Sequence, residues 1–321
     1  MRILVTGMGG ELGTRVAQVL EERPEGQEVV GFDFVPPRRR LRRAEFRRID
    51  PRTRERVVEF VTEFAPQIVA HFGVYEPASR MSLSAAAERT ELCTVAALGA
   101  AARAGALEYV VSRSGLEVYG RRVHRASVPD EHVPPAPSSA YGVSLLQVET
   151  ITAGVGRRNG IPVASLRYAP VVGPHAPSPL GRLLRLPLVP VPAFADPPFS
   201  LLHPEDAAGA MVAAITCRHD GPLNVVGPGA ATPWQAARLG GRVPFPVVPA
   251  LWGWAGRATE LSGAAMAPHV VEMLRFGRTG TGERAVDALR ISEPHTTQDV
   301  LREVFEWADV VPLAVAREEV A

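Results

Sequence analysis

The 321-residue chain contains no lysine, so all 35 of its basic residues are arginine. Every mechanism that requires a lysine is thereby excluded. Cysteine is nearly as scarce: Cys93 and Cys217 are too few for a disulfide framework, and neither has the CxxC or Cys/His spacing of a metal centre. Both are expected as core thiols, with no metal bound. No apolar run approaches membrane-spanning length, and a strand predicted from Arg2 leaves no room for a signal peptide, so a cytoplasmic location is expected. A net charge of +1 gives no reason to expect nucleic acid or an anionic membrane as partner. With 46% hydrophobic and 21% charged residues, the chain can bury a large core, as one large domain or two coupled ones.

What is present begins at the first residues. Met1 to Thr14 read MRILVTGMGGELGT: an apolar run from Ile3 to Thr6, three glycines at Gly7, Gly10 and Gly13, then apolar residues at helical spacing, Leu12, Val16, Val19 and Leu20. A strand, a glycine turn and a helix aim a helix N-terminus at a pyrophosphate, with backbone close to the ligand. Glu11 and Leu12 stand inside that turn. In VVGFDF, Asp33 ends the next apolar strand, twenty residues beyond Gly13. A carboxylate there accepts from both hydroxyls of an adenosine ribose and repels a 2'-phosphate, which favours NAD over NADP.

Short apolar strands then alternate with amphipathic helices, as a parallel sheet covered on both faces requires. A helix is predicted from about Glu11 to Glu22, stopped by Pro24 and Gly26, followed by a strand from Val29 to Asp33. The seven arginines between Arg38 and Arg48 read as a solvated loop or, alternatively, as a clamp for an anion. Asp50 is expected to cap a helix running through Phe64. Strands follow at Gln67 to Phe72 and Tyr109 to Ser112, separated by an alanine-rich helix that suits burial against the sheet or a partner subunit. Ten prolines between Pro170 and Pro204 exclude helix interior and central strand, so that stretch reads as a stiff apolar wall, packing a second domain or lining a pocket. Trp252 and Trp254 are assigned to the same wall, and a last helix to Asp299 through Trp307.

In their order, VTGMGGELG, GFD, Asp50, AHFG, SGLEVYG, SAYGVSL, LRYAPVVGP and HPEDAA resemble the extended short-chain dehydrogenase/reductases, the group of NAD-dependent sugar-nucleotide epimerases and dehydratases. The resemblance spans residues 2 to about 230. It implies an α/β fold: a Rossmann-type doubly wound parallel sheet over residues 1–173, with 200–228 returning to it, and a smaller substrate domain from 174–199 and 229–321. It also implies bound NAD, a homodimer built from two helices of each subunit, and Asp50, Phe72, Gly73 and Tyr141 beside the cofactor. His203 and Asp206 match a helix start of the family and His71 a strand end; all three are expected to be structural.

Departures from the family pattern bear on the chemistry. The family's tyrosine is followed four residues later by a lysine, which lowers the phenol pKa and holds the nicotinamide ribose. Here Tyr141 is followed by Leu145. The family's catalytic serine or threonine falls on Gly115, with Ser114 turned elsewhere, and Glu91 stands where an asparagine is common. Glu117 aligns with the carboxylate base of the dehydratases, although the acid beside it there is Leu116 here. Tyr141 and Glu117 are therefore the candidate catalytic residues, with Arg113, Tyr75 and Glu76 on neighbouring loops. Phe199 replaces an arginine that holds nucleotide phosphates in sugar-nucleotide members, which points to a small, rather apolar substrate and not to a nucleotide sugar. The functional expectation is an NAD-binding enzyme of atypical oxidoreductase, epimerase or redox-neutral chemistry; the alternative is an inactive NAD or metabolite sensor or partner subunit.

Overall fold

The structure is a computed structural model that describes residues 1–23, 26–77, 81–121, 128–174, 176 and 178–306. Pro24 and Trp307, assigned above to helix ends, lie outside these residues. The first part of the chain runs β1 (Arg2–Thr6), α1 (Glu11–Glu21), β2 (Glu28–Asp33), β3 (Glu45–Arg48), α2 (Arg54–Phe64), β4 (Ile68–His71), α3 (Leu83–Arg103), β5 (Tyr109–Gly115), α4 (Ala140–Asn159) and β6 (Val163–Tyr168). It continues through α5 (Pro179–Leu184), β7 (Leu188–Pro192), α6 (Pro204–Cys217), β8 (Gly221–Val225), α7 (Pro233–Leu239), β9 (Val243–Val247), α8 (Trp252–Leu261), α9 (Pro268–Phe276), α10 (Glu283–Leu289) and α11 (Thr297–Glu306).

Seven parallel strands form one sheet in the order β3-β2-β1-β4-β5-β6-β8. Both faces are covered, as the continuous apolar runs require. Alternation along β1 sends Ile3 and Val5 into a core shared with Val16 of α1 and Met211 of α6, and Leu4 into one shared with Val57 of α2 and Cys93 of α3. The strand order reverses between β1 and β4, and the crevice at their carboxyl ends is where ligands sit in such sheets. A second core holds Leu183, Val191, Phe199, Trp252, Met273 and Val304, drawn from both sides of α6 and β8. Ala285 and Leu289 of α10 return to the first core. Among the described residues no helix is long and apolar enough to cross a membrane.

Four local expectations are corrected. The arginine segment is not loop throughout: Glu45–Arg48 pairs with β2 as an edge strand, and the Glu21 carboxylate receives the N–H groups of Arg42, Arg43 and Ala44 (2.8, 2.8 and 3.0 Å), which fixes the approach. Asp50 does not cap α2, whose N-cap is Thr53; its Oδ1 instead accepts from Arg52 N–H in the turn containing Pro51. The strand from Tyr109 continues to Gly115, carried by pairing with β6 as far as Tyr168. Cys217 is exposed rather than core, because it is the last residue of α6.

The proline-rich stretch forms part of a parallel two-stranded sheet, β7 with β9, in which Val189 faces Pro244 and Val191 faces Pro246. Val243 N–H reaches Pro187 O (3.0 Å) and Ala193 N–H reaches Val247 O (3.1 Å) across this sheet. Alternation therefore turns the nitrogens of Pro190, Pro192, Pro244 and Pro246 outward, where no ladder donor is needed.

Candidate active site

At the β1–α1 turn each glycine has its own physical reason. Gly7 has φ +65, and a side chain there would put Cβ 2.5 Å from Phe72 O. A Cβ on Gly13 would lie 2.3 Å from Gly7 O, which is the close contact of helix with turn. At Gly10, the N-cap of α1, the nearest atom is 3.4 Å away, so that face is clear for a ligand. Gly9, which the spacing did not single out, is equally constrained, with a Cβ 2.0 Å from Val35 O. The first N–H groups of α1 have no intrahelical partner and are free to receive an anion.

A groove with about 860 Å³ of empty volume runs from this turn along the strand ends. Gly7, Gly10, Glu11, Leu12, Gly13, Asp33 and Phe72 all line it, together with Phe34, Arg38 and Tyr75. Asp33 is 2% exposed and accepts from Phe34 N–H (2.7 Å) and Tyr75 O–H (3.2 Å). Burial pushes its carboxyl up to about 6, against these donors and the amides of Gly9 and Val35. Of the seven arginines of the Arg38–Arg48 segment, all exposed, Arg38 alone lines the groove.

The groove opens at Glu76, Arg113, Val171 and Ser178 into a smaller cleft with about 530 Å³ of empty volume. Its walls are apolar, with Val172, Leu180, Val270 and Met273, and carry the polar groups of Glu76, Arg113, Glu117, Tyr141 and His269. Tyr141 begins α4, where Ser139 Oγ caps the helix by accepting Gly142 N–H. Arg113 Nη2 lies 3.4 Å from the Tyr141 hydroxyl, and its Nε has no hydrogen-bond partner among the described residues. Burial drives the Tyr141 phenol well above its ordinary value of about 10; Arg113 pulls it down, Glu76 and Glu117 push it further up. The phenol stays protonated at neutral pH and can donate a hydrogen bond or a proton.

Glu117 sits in the 3-10 turn Leu116–Tyr119, 7% exposed, with Oε1 3.8 Å from Nη1 of the buried Arg278. Its carboxylate takes the space beside Gly115: a Cβ on Gly115 would stand 2.3 Å from Glu117 Oε2 and 3.2 Å from Leu145 Cδ1. Opposite, His269 Nε2 lies 2.8 Å from Glu76 Oε1, and the imidazole packs on the Tyr141 ring at a centroid distance of 4.7 Å. Burial pushes the Glu76 carboxyl up, but the hydrogen bond from His269, with the charges of Arg113 and Arg182, outweighs it and holds the group below its ordinary value.

Residues 3–226 match the NAD dependent epimerase/dehydratase family. The chain belongs to that family. A protein of Mycobacterium bovis and one of Mycobacterium tuberculosis, both described as uncharacterized, are 30% identical over 330 residues, covering 97% of this chain and 85% of theirs. Among solved structures, the fold is similar to UDP-glucose 4-epimerase of Thermotoga maritima with UDP-glucose (TM-score 0.74, 20% identity, 96% of this chain and 98% of that one). It is also similar to the Thermus thermophilus UDP-glucose 4-epimerase complex with NAD (0.74, 22%, 97% and 100%) and to dTDP-glucose 4,6-dehydratase of Bacillus anthracis with NAD (0.73, 17%, 96% and 96%). NAD is the cofactor of the family, and the glycine cradle and the buried Asp33 acceptor fit it. When bound, NAD would supply a hydride acceptor.

Other residues singled out in this epimerase/dehydratase member lie elsewhere. Asp50 is not among the groove-lining residues: it pairs with Arg52 (2.8 Å) and Arg89 (3.5 Å), and the Arg52 hydrogen bond pulls its carboxyl down to about 2. Gly73 packs against α3, where a Cβ would meet Cys93 Sγ at 2.3 Å. His71 is wholly buried between Thr6 and Thr94 hydroxyls (2.8 and 2.9 Å), and burial lowers its pKa to about 4. Ser114 donates to Glu149, and Glu91 is exposed. His203 caps α6, and Asp206 accepts from His295 N–H (2.8 Å). Trp252 packs in the second core and Trp254 is exposed; neither lines the cleft. Sequence reading missed His269, whose only signal was a histidine one residue into a Pro-initiated helix.

Proposed function

We propose that the protein is an NAD-dependent enzyme that moves hydride between the cofactor and a small, rather apolar metabolite bearing a hydroxyl or carbonyl group, as an oxidoreductase, epimerase or redox-neutral catalyst. The observation that carries this reading is Arg113 Nη2, 3.4 Å from the Tyr141 hydroxyl at the junction of groove and cleft. It sets a cation beside the phenol from β5, where the family pattern would supply one from α4. Gly7, Gly10, Glu11, Leu12 and Gly13 would hold the pyrophosphate, Asp33 the adenosine ribose, and Tyr141 the reacting oxygen. Glu117 stands across the cleft as a second proton-handling group. The apolar walls and the full burial of Phe199 in the second core favour a small substrate over a nucleotide sugar. A homodimer through α3 and α4 belongs to this reading, supported by the exposed Leu83, Val95 and Val143 on those helices.

A second reading, an NAD-binding sensor or partner subunit without turnover, draws on the buried Leu145 and on the carboxylate that fills the serine's place beside Gly115. Calorimetry with NAD and NADP, followed by NADH-loaded protein presented with small aliphatic and aryl carbonyls and with NAD-loaded protein presented with UDP-glucose, separates the readings. The proposed enzyme binds NAD in preference, reduces small carbonyls and loses that activity in Tyr141→Phe with NAD affinity intact. Tight NAD binding with every probe left unchanged would establish the sensor.

A further inference from the structure

A protonated phenol can donate to a substrate oxygen but cannot take up its proton, and the lysine that would change this is absent from the chain. Another group must accept that proton at neutral pH. His269 lines the cleft, is 4% exposed and packs against the Tyr141 ring. Its two nitrogens have different environments. Nε2 lies 2.8 Å from Glu76 Oε1, whereas Nδ1 is buried with no hydrogen-bond partner among the described residues. A carboxylate on one ring nitrogen fixes the tautomer, with the proton on Nε2 and a lone pair on Nδ1. A buried, unpartnered acceptor is costly unless something binds there. A ligand hydroxyl that reached Nδ1 from the cleft would satisfy it.

We propose that His269, rather than Glu117, whose carboxylate faces the buried Arg278 guanidinium, takes the substrate's proton, and that Glu76 is its positioning residue. The proposal rests on the reading of the protein as a hydride-transferring enzyme. In the oxidising direction the substrate O–H proton passes to Nδ1 of His269, and the carbon-bound hydrogen leaves with its electron pair to NAD+. The products are a carbonyl, NADH and an imidazolium held against the Glu76 carboxylate. Tyr141, still protonated, donates to the same oxygen as negative charge develops on it. Among the described residues, the charged and titratable groups that line the cleft with the imidazole are Glu76 from the loop after β4, Arg113 from β5, Glu117 from the 3-10 turn, Tyr141 from α4 and Tyr168 from β6, and Arg182 from α5 acts on Glu76. On α9 itself, Glu272 is already engaged by Arg121, Ser138 and Arg278.

The test uses NADH-loaded full-length protein with the panel of small carbonyls, followed by nicotinamide absorbance across pH. The imidazolium donates the proton in this direction, so the wild-type rate should fall with rising pH as the imidazole loses that proton. His269→Gln, which keeps a donor toward Glu76, should lower the rate by about a hundredfold or more and flatten that limb, with NADH affinity unchanged. Glu76→Gln, which keeps the acceptor but removes its charge, should move the limb to lower pH without abolishing the rate. A wild-type rate and profile in His269→Gln overturns the proposal. If wild-type protein reduces no carbonyl, the hydride-transfer reading itself fails, and the ¹⁵N spectrum of histidine-labelled protein without cofactor decides the imidazole separately. An unprotonated Nδ1 at neutral pH that shifts on NAD+ addition supports its place as the cleft's proton acceptor; an Nδ1 that carries the proton there overturns it.

Discussion

Asp33 shows how one residue couples cofactor choice to stability. Its folded carboxyl takes a proton near pH 6, whereas an unfolded aspartate does so near its ordinary value of about 3.9. The folded state therefore binds the proton more tightly, and stability falls as pH rises between these two values, with the full cost present above about 6. Asp33→Asn is expected to stabilise the cofactor-free protein at pH 8 by on the order of 2–3 kcal/mol and to change little at pH 4. The same substitution should erase the preference for NAD, because the ionised carboxylate accepts from the ribose hydroxyls. Denaturant melts at the two pH values, with calorimetry beside them, check this; an equal stability gain at both would refute the buried-charge account. The glycine turn and Asp33 were legible because backbone geometry and ribose recognition demand those residue types at that spacing. The space beside Gly115 was not legible, since nothing in SGLEVYG says that Glu117 folds back onto the position of the family's serine.

At the scale of elements, the helix that presents Tyr141 is anchored from beneath by a buried ion pair. Arg167 of β6 donates to Glu149 of α4 from both Nε and Nη2 (2.9 and 2.8 Å), and its Nη1 reaches the Tyr119 hydroxyl (2.9 Å), which donates in turn to Asn224 of β8 (2.8 Å). Removing one partner leaves an uncompensated charge in the core. Glu149→Leu should cost about 3–5 kcal/mol in chemical denaturation, and Glu149→Leu with Arg167→Leu considerably less. A double variant as unstable as the single one would show that the pair itself, and not the orphaned arginine, carries the effect. The strands and helices of the sheet could be read from apolar runs and periodicity, because burial on both faces imposes them. The edge strand β3 could not, since its arginines are exposed and it is defined by pairing with β2 and by Glu21 gripping the preceding amides. The pairing of β7 with β9 was likewise hidden by prolines, which look like strand breakers until both strands prove to be edges.

Across the whole molecule, the cleft is assembled from both cores, and its parts are far apart in sequence: Glu76 and His269 are separated by 193 residues. A partnership over that distance leaves no local pattern, which is why the histidine escaped a reading built on motifs while Tyr141 did not. The family match ends at residue 226, before α9, so the imidazole lies outside the segment that defines the family. The small sheet of the second core bears on a different property, how the protein behaves when concentrated. Leu188, Val243 and Phe245 are exposed on it, an apolar ladder of the kind that recruits strands from other molecules. An incoming strand needs edge donors, and at Pro190, Pro192, Pro244 and Pro246 there are none to offer. Pro244→Val with Pro246→Val restores two outward amides and should produce concentration-dependent association by light scattering with the circular dichroism unchanged; a variant that keeps the wild-type assembly size would disprove this role. The prolines that make the segment look unfit for a sheet thus act as its guard against aggregation.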